Sequence, residues 1–217
     1  SSKAGKSLIC PTPYAIKMAL LDRLIRIYGV EGVNNKLFMT IRNLTFHLKP
    51  PLATAVNRTF QVIADDDEKA PKDFSPRWKS SISQREYCFQ VGVLRIATET
   101  TPEFALVLRD AFMTINYFGR KGSFMQFVGY DDSTPFLPEG FVNVSGPTNG
   151  LARGFLQRMD DMEKRIGEGK KARDVVFDDV SVLNPKATGA RRSYTVVFPY
   201  ELAHHGQNHT VYEWKGR

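Results

Sequence analysis

The chain has 217 residues, 42% hydrophobic and 24% charged, a balance that fits a globular protein with a sizeable core. There is no run of about 18 apolar residues, and no charged-then-apolar signal segment leads the chain, so neither a membrane span nor a secretory leader is predicted. The two cysteines, Cys10 and Cys88, lack C-x-x-C spacing and give neither a disulfide framework nor a cysteine zinc site; a reducing, cytoplasmic setting is expected.

The opening stretch "SSKAGKSLICPTPYAIKMALLD" contains Gly5-Lys6-Ser7, the end of a phosphate-binding P-loop. A complete loop needs an earlier glycine, and Pro11 and Pro13 fall where the phosphate-binding helix would begin, so a nucleotide hydrolase is not the reading. A basic loop leads instead into a helix predicted from about Pro13 to Tyr28, with Thr12 as N-cap and Gly29 as the stop. Ile16, Ala19, Leu20, Leu24 and Ile27 recur at helical spacing along it.

"KLFMTIRNLTFHLK" (Lys36 to Lys49) predicts a strand, ended by Pro50-Pro51. Residues 49–83 mix a short apolar piece with an acidic run and a basic, proline-containing one, and predict a long projecting insertion that orders on assembly. "REYCFQVGVLRIATE" (Arg85 to Glu99) predicts a second strand, and Thr101-Pro102-Glu103 opens a helix through about Asn116. Gly119 and Gly122 bracket a tight basic turn before a strand from about Ser123 to Tyr130. Beyond it, Asn149 to Gly169 suggests a helix, "RDVVFDDVSVL" a strand, and "RRSYTVVFPYEL" with "HTVYEWKG" a hairpin joined by "AHHGQNH".

The order helix, strand, strand, helix, strand is that of a ferredoxin-like unit lacking its first strand, which the residues before Pro11 do not resemble. The expected fold is α+β: a ferredoxin-like unit over 1–130 with a thumb-like insertion at about 49–83, and an appended β-rich section over 131–217.

The net charge of +7 and a sequence pI near 9.4 suggest a polyanionic partner. The positive residues gather beside aromatic or glycine residues in "NRTF", "SPRWKSS", "FGRKGSF" and "GARRSY", a pattern of single-stranded RNA recognition in which cations meet phosphates and rings stack on bases. Arg120 and Lys121, between two glycines, are the first candidate contacts; Lys3, Lys6, Arg58, Arg77, Trp78, Lys79 and Arg85 follow. Arg85 has a competing use as an ion-pair partner of Glu86 or a neighbouring strand.

Taken together, "CPTPYAIKMALLD", "SQREYCFQVGV" and "YFGRKGSFMQF" resemble the RAMP proteins of CRISPR systems, and among them the Cas-five family of type I Cascade complexes. The resemblance covers about residues 1 to 130 and rests on the threonine- and proline-containing loop before the first helix, the insertion at Lys49 to Ser83, the pair Arg85-Glu86 and the turn Gly119-Arg120-Lys121-Gly122. It implies a subunit that caps a ribonucleoprotein, grips the 5′ handle of the guide RNA (crRNA), and touches the neighbouring backbone RAMP subunit through its thumb and the large subunit alongside, with target DNA reached through the complex. No cofactor is implied.

Two other functions compete. A metal-independent ribonuclease of the same fold would need a general base, for which His47, His204, His205 and His209 are the histidines present. The last three belong to a polar hairpin turn, and they and the acidic run Asp65 to Glu68 read as solvated loop residues before they read as metal ligands. A basic adaptor that binds acidic protein surfaces is the other alternative.

Overall fold

The structure is a computed structural model, and it describes residues 7–33, 35–66, 78–120, 122–132, 136–150, 152–181 and 190–216. In chain order these form α1 (Pro13–Gly32), α2 (Asn35–Asn43), β1 (Phe46–Lys49), β2 (Ala53–Asp66), β3 (Trp78–Val91), β4 (Arg95–Thr98), α3 (Pro102–Thr114), β5 (Val142–Asn143), β6 (Phe155–Met162), β7 (Arg165–Ile166), β8 (Arg173–Asp174), β9 (Arg191–Phe198), β10 (Tyr200–His205) and β11 (His209–Trp214). The architecture is α+β, and the strand pairings among the described residues are antiparallel.

Two compact units interleave in sequence, whereas the sequence reading placed one boundary near residue 130. The first holds the described residues of Ser1–Ile9, Pro51–Gly92 and Tyr200–Lys215; the second holds those of Cys10–Pro50, Val93–Pro199 and Gly216–Arg217.

In the second unit, both long helices start as their sequences dictate. Thr12 Oγ1 accepts a hydrogen bond from Ala15 N at 3.2 Å, and Thr101 Oγ1 from Phe104 N at 3.4 Å, each followed by a proline in the first turn. The regular turns of α1 break at Gly29, whose φ of 76° is a left-handed conformation, before one further turn to Gly32. Ile16, Leu20, Leu21 and Leu24 of α1, Phe38 and Ile41 of α2, Phe46 and Leu48 of β1, and Met159, Val196 and Phe198 of β6 and β9 are buried. The sheets of this unit run β4-β1-β5, β6-β9 and β7-β8.

A buried ion pair ties α1 and α2 to the β6–β9 pair. Lys17 Nζ donates to Asp161 Oδ1 at 2.6 Å and to the Arg42 carbonyl at 2.8 Å, with both charged side chains almost fully buried. Burial disfavours the Lys17 ammonium and lowers its pKa, and Asp161 opposes that shift. Asp161 also accepts from Met162 N at 2.8 Å and from Arg192 at 3.2 Å, while Arg42 donates to the carbonyls of Lys164 and Val175 at 3.0 and 2.8 Å. Each charge removed from water is thus met by opposite charge or by backbone dipoles.

The first unit is a four-stranded sheet of order β10-β11-β2-β3. Strands β2 and β3 pair continuously from Ala53↔Val91 to Asp66↔Trp78. Its base is fastened by Trp214 N donating to Leu52 O at 2.8 Å, by the Tyr200 hydroxyl donating to Pro51 O, and by an edge-on contact of the Tyr200 and Trp214 rings at 5.3 Å. The outer strand β3 meets the N-terminal segment, where Ser7 bonds the backbone and carboxylate of Glu86 and Gln90 donates to Ile9 O at 2.6 Å.

Several sequence expectations change. Residues 36–43 are helical because Phe38, Ile41 and Arg42 bury at helical spacing, a period that outweighs their β-branched content; only the last four residues of the expected strand, Phe46–Lys49, form one. The insertion is a regular hairpin over its described residues, with 67–77 outside them, and the expected long strand from Arg85 ends at Val91. There Gly92, at a φ of 116°, breaks it before β4.

The segment expected as a helix over 149–169 contains strand β6, because the residues it turns inward, Gln157, Met159 and Asp161, are largely polar, while Leu156 faces out. Gln157 is satisfied by the N–H and carbonyl of Cys10 at 3.2 and 2.8 Å. Among the described residues of the strand expected at 173–183, only Arg173–Asp174 pairs, followed by a 3₁₀ turn at Phe177–Asp179. Around Pro199, β9 pairs with β6 whereas β10 pairs with β11, so the expected hairpin keeps only its second half. Over 123–130 the pairing is one bridge, Tyr117↔Phe124, in place of the expected strand.

Asp161→Asn leaves the Lys17 ammonium buried without its counter-charge and is expected to cost about 3–5 kcal/mol in urea-unfolding free energy. Lys17→Met leaves Asp161 with Arg192 and the Met162 N–H and costs less; equal losses would show that the pair does not carry this packing.

Candidate nucleic-acid interface

The glycine-bracketed turn lies in the second unit, just after α3. Tyr117 bridges Phe124, Met125 N donates to Asn116 O at 2.9 Å, and Ser123 N donates to Arg120 O at 3.1 Å. Gly119 and Gly122 have φ of 75° and 110°, and the second value in particular excludes a comfortable side chain. Arg120 is exposed at the tip, and no carboxylate among the described residues pairs with it.

A Cβ on Gly119 would sit 3.8 Å from that of Ala15, so the turn lies beside the first turn of α1. That first turn carries no acidic residue. Ala15 N there is already taken by Thr12 Oγ1 and Ile16 N by Thr12 O, so what this helix end adds to Arg120 is the partial positive charge of its dipole, which suits an anion such as a phosphate.

The other candidates belong to the first unit. Arg58 donates to Glu86 Oε1 at 3.0 Å across the β2–β3 ladder, so its charge is compensated. Arg85 makes no such pair with Glu86: adjacent strand residues point to opposite faces, and Arg58, directly opposite Glu86, takes the carboxylate. Among the described residues Arg85 has no carboxylate partner, and Lys79 is exposed on the same face. Lys3, Lys6, Arg77, Lys121 and the side chain of Trp78 lie outside the described residues, as do Asp67, Glu68 and the side chains of Asp65 and Asp66.

The histidines do not converge. His47 sits in β1 opposite Ala97 and Asn143, and burial lowers its pKa from 6.5. His204 and His209 stack with ring centroids 5.2 Å apart, and a His205 ring nitrogen is 3.1 Å from Thr210 Oγ1. Among the described residues no three His, Cys, Asp or Glu side chains are grouped to hold a metal ion.

Sequence reasoning overlooked the face of the first unit's sheet. The register aligns Tyr87, Asn57 and His209 in one row, and Phe89, Ala55, Val211 and His204 in the next. Tyr87 and Phe89 are 51% and 69% exposed, a large aromatic area left in water. Their i, i+2 spacing was visible in "REYCF", but which face stayed open depended on strands distant in sequence.

Scans against protein-family models and against the curated proteins find no match for this chain.

Because the folded state disfavours protonated His47, the unfolded chain binds that proton more readily between the lowered folded pKa and 6.5. The stability contributed by neutral His47 is present above about pH 6.5 and lost as the pH falls below it. Urea midpoints measured from pH 7.5 to 5 should decline less in His47→Gln than in the parent; identical slopes would refute the assignment.

Proposed function

We propose that the chain is an RNA-binding subunit of a CRISPR ribonucleoprotein, of the Cas-five type within the RAMP superfamily, which holds the 5′ handle of a guide RNA for RNA-guided DNA targeting. The observation that carries this reading is the exposed Arg120, without a carboxylate partner among the described residues, on its double-glycine turn beside the acid-free first turn of α1. A backbone that approaches closely, a fork of guanidinium donors and the positive end of a helix dipole together make a phosphate grip without sequence preference of their own. In this reading the second unit is ferredoxin-like, with β1 and β4 as its antiparallel neighbours and α1 and α3 as its helices.

The hairpin β2–β3, inserted in sequence between β1 and β4, takes the part of the thumb that meets a neighbouring backbone subunit. Phe60, Val62 and Ile82, all more than 70% exposed toward its far end, give that contact an apolar surface to bury. The reading assigns no catalytic residue.

Purification from the native host and sequencing of the bound RNA tests the proposal. Repeat-bearing guide RNA is expected with the parent chain and is lost with Arg120→Ala/Lys121→Ala; random or absent RNA would overturn the reading. For RNA bound by the purified protein, removing these two phosphate contacts should flatten the plot of log affinity against log salt by about 1.4. An unchanged slope would place the phosphate grip elsewhere.

A further inference from the structure

We infer that the open face of the β10-β11-β2-β3 sheet is a second RNA contact, a shallow trough on which unpaired bases stack. The inference rests on the RNA-binding reading above and adds a site that the basic turn does not contain. Directly paired residues of an antiparallel sheet share a face, so the register fixes the surface. One wall is Tyr87 and Phe89 on β3, and the other is His209 and His204 on β11 and β10. Between them the floor is small: Ala55 and Asn57 of β2, with Val211 of β11. Strands about 4.8 Å apart put β3 and β10 about 14 Å from each other, room for a nucleotide between aromatic walls.

The walls are set in place beforehand. Gln61 Nε2 lies 2.7 Å from the Tyr87 hydroxyl and holds that ring toward the hairpin's far end, and the two imidazoles are already stacked on each other. Ordered rings bind with less loss of side-chain freedom.

Charge selects the occupant. The aromatic rows contain no carboxylate, and Arg85, one row toward the hairpin's far end on the same face, has no acidic partner among the described residues. Glu86, which would repel a phosphate, points to the opposite face and is held by Arg58. Of the two acids on this face at the sheet's base, Glu201 and Glu213, the second pairs with Lys215 at 3.1 Å. Exposed π-faces, a small floor and a guanidinium with no acidic partner among the described residues match a single strand, whose bases offer flat faces and whose backbone offers phosphates; duplex RNA hides those faces.

The test uses the full chain and two probes, a fluorescent 12-nucleotide single-stranded RNA and the same sequence as a duplex. Phe89→Ala and Tyr87→Ala are each expected to weaken single-strand binding about 10-fold, leaving the slope against salt unchanged because no phosphate contact is lost. Arg85→Ala should instead lower that slope by about 0.7. Thermal melting controls for folding, and Phe89→Trp, which keeps a stacking ring, should retain affinity.

Parental affinity in Phe89→Ala and Tyr87→Ala, while Arg120→Ala still weakens binding, would overturn this inference and leave the proposed function standing. Failure of the parent chain to bind either RNA would overturn both. Self-association of the parent, abolished by Phe89→Ala with RNA affinity unaltered, would make the face a contact between copies and also overturn the trough.

Discussion

Lys17 and Asp161, an ammonium and a carboxylate both withdrawn from water, constrain the second unit more tightly than any apolar contact in it. Hydrophobic packing tolerates small shifts, but a buried charge must keep its partner within hydrogen-bonding distance or bear the cost of desolvation. Lys17 comes from α1, Asp161 from β6, and the Arg42 carbonyl from the last turns of α2, so one ammonium fixes three elements at once. Arg192 then brings β9 to the same carboxylate, and its second bond, to Ser145 O at 2.9 Å, reaches the segment after β5.

This polar interior accounts for the misleading pattern of β6. A half-buried strand normally alternates apolar-in and polar-out, and here Gln157 and Asp161 face in while Leu156 faces out. The inversion is tolerated because each inward group has a partner waiting: the Cys10 backbone for Gln157, and Lys17 and Arg192 for Asp161. Periodicity alone cannot recognise such a strand, since Cys10 and Lys17, which satisfy its inward polar groups, lie more than 100 positions away in sequence.

The two surfaces proposed for RNA divide the chemistry in a consistent way. The glycine turn offers the exposed Arg120 guanidinium at its tip, and so suits phosphates. The sheet face offers rings, with the Arg85 guanidinium beside them lacking a carboxylate partner among the described residues, and so suits bases. Both depend on local departures from regular structure or burial. Left-handed glycines allow the turn, and the aromatic side chains of β3 remain in water where a stable monomer would ordinarily cover them. Features that work against stability in isolation gain a reason when a ligand completes them.

The sequence by itself determined the local punctuation of the chain. Thr12-Pro13 and Thr101-Pro102 start their helices, Gly29 breaks α1, Gly119 and Gly122 shape a basic turn, and "HTVYEW" pairs back on the strand that contains "YEL", with His204 and His205 in that strand and not in the expected turn, because capping, proline and glycine geometry act within a few residues. Only the tertiary structure decided that 36–43 is a helix, that β6 is a strand with an acid inside, and that Arg58 rather than Arg85 takes Glu86. It likewise decided which side of β3 stays open to solvent. These outcomes depend on which distant residue supplies the opposite charge or the adjacent strand, and such partnerships, made across the fold, leave no period in the sequence.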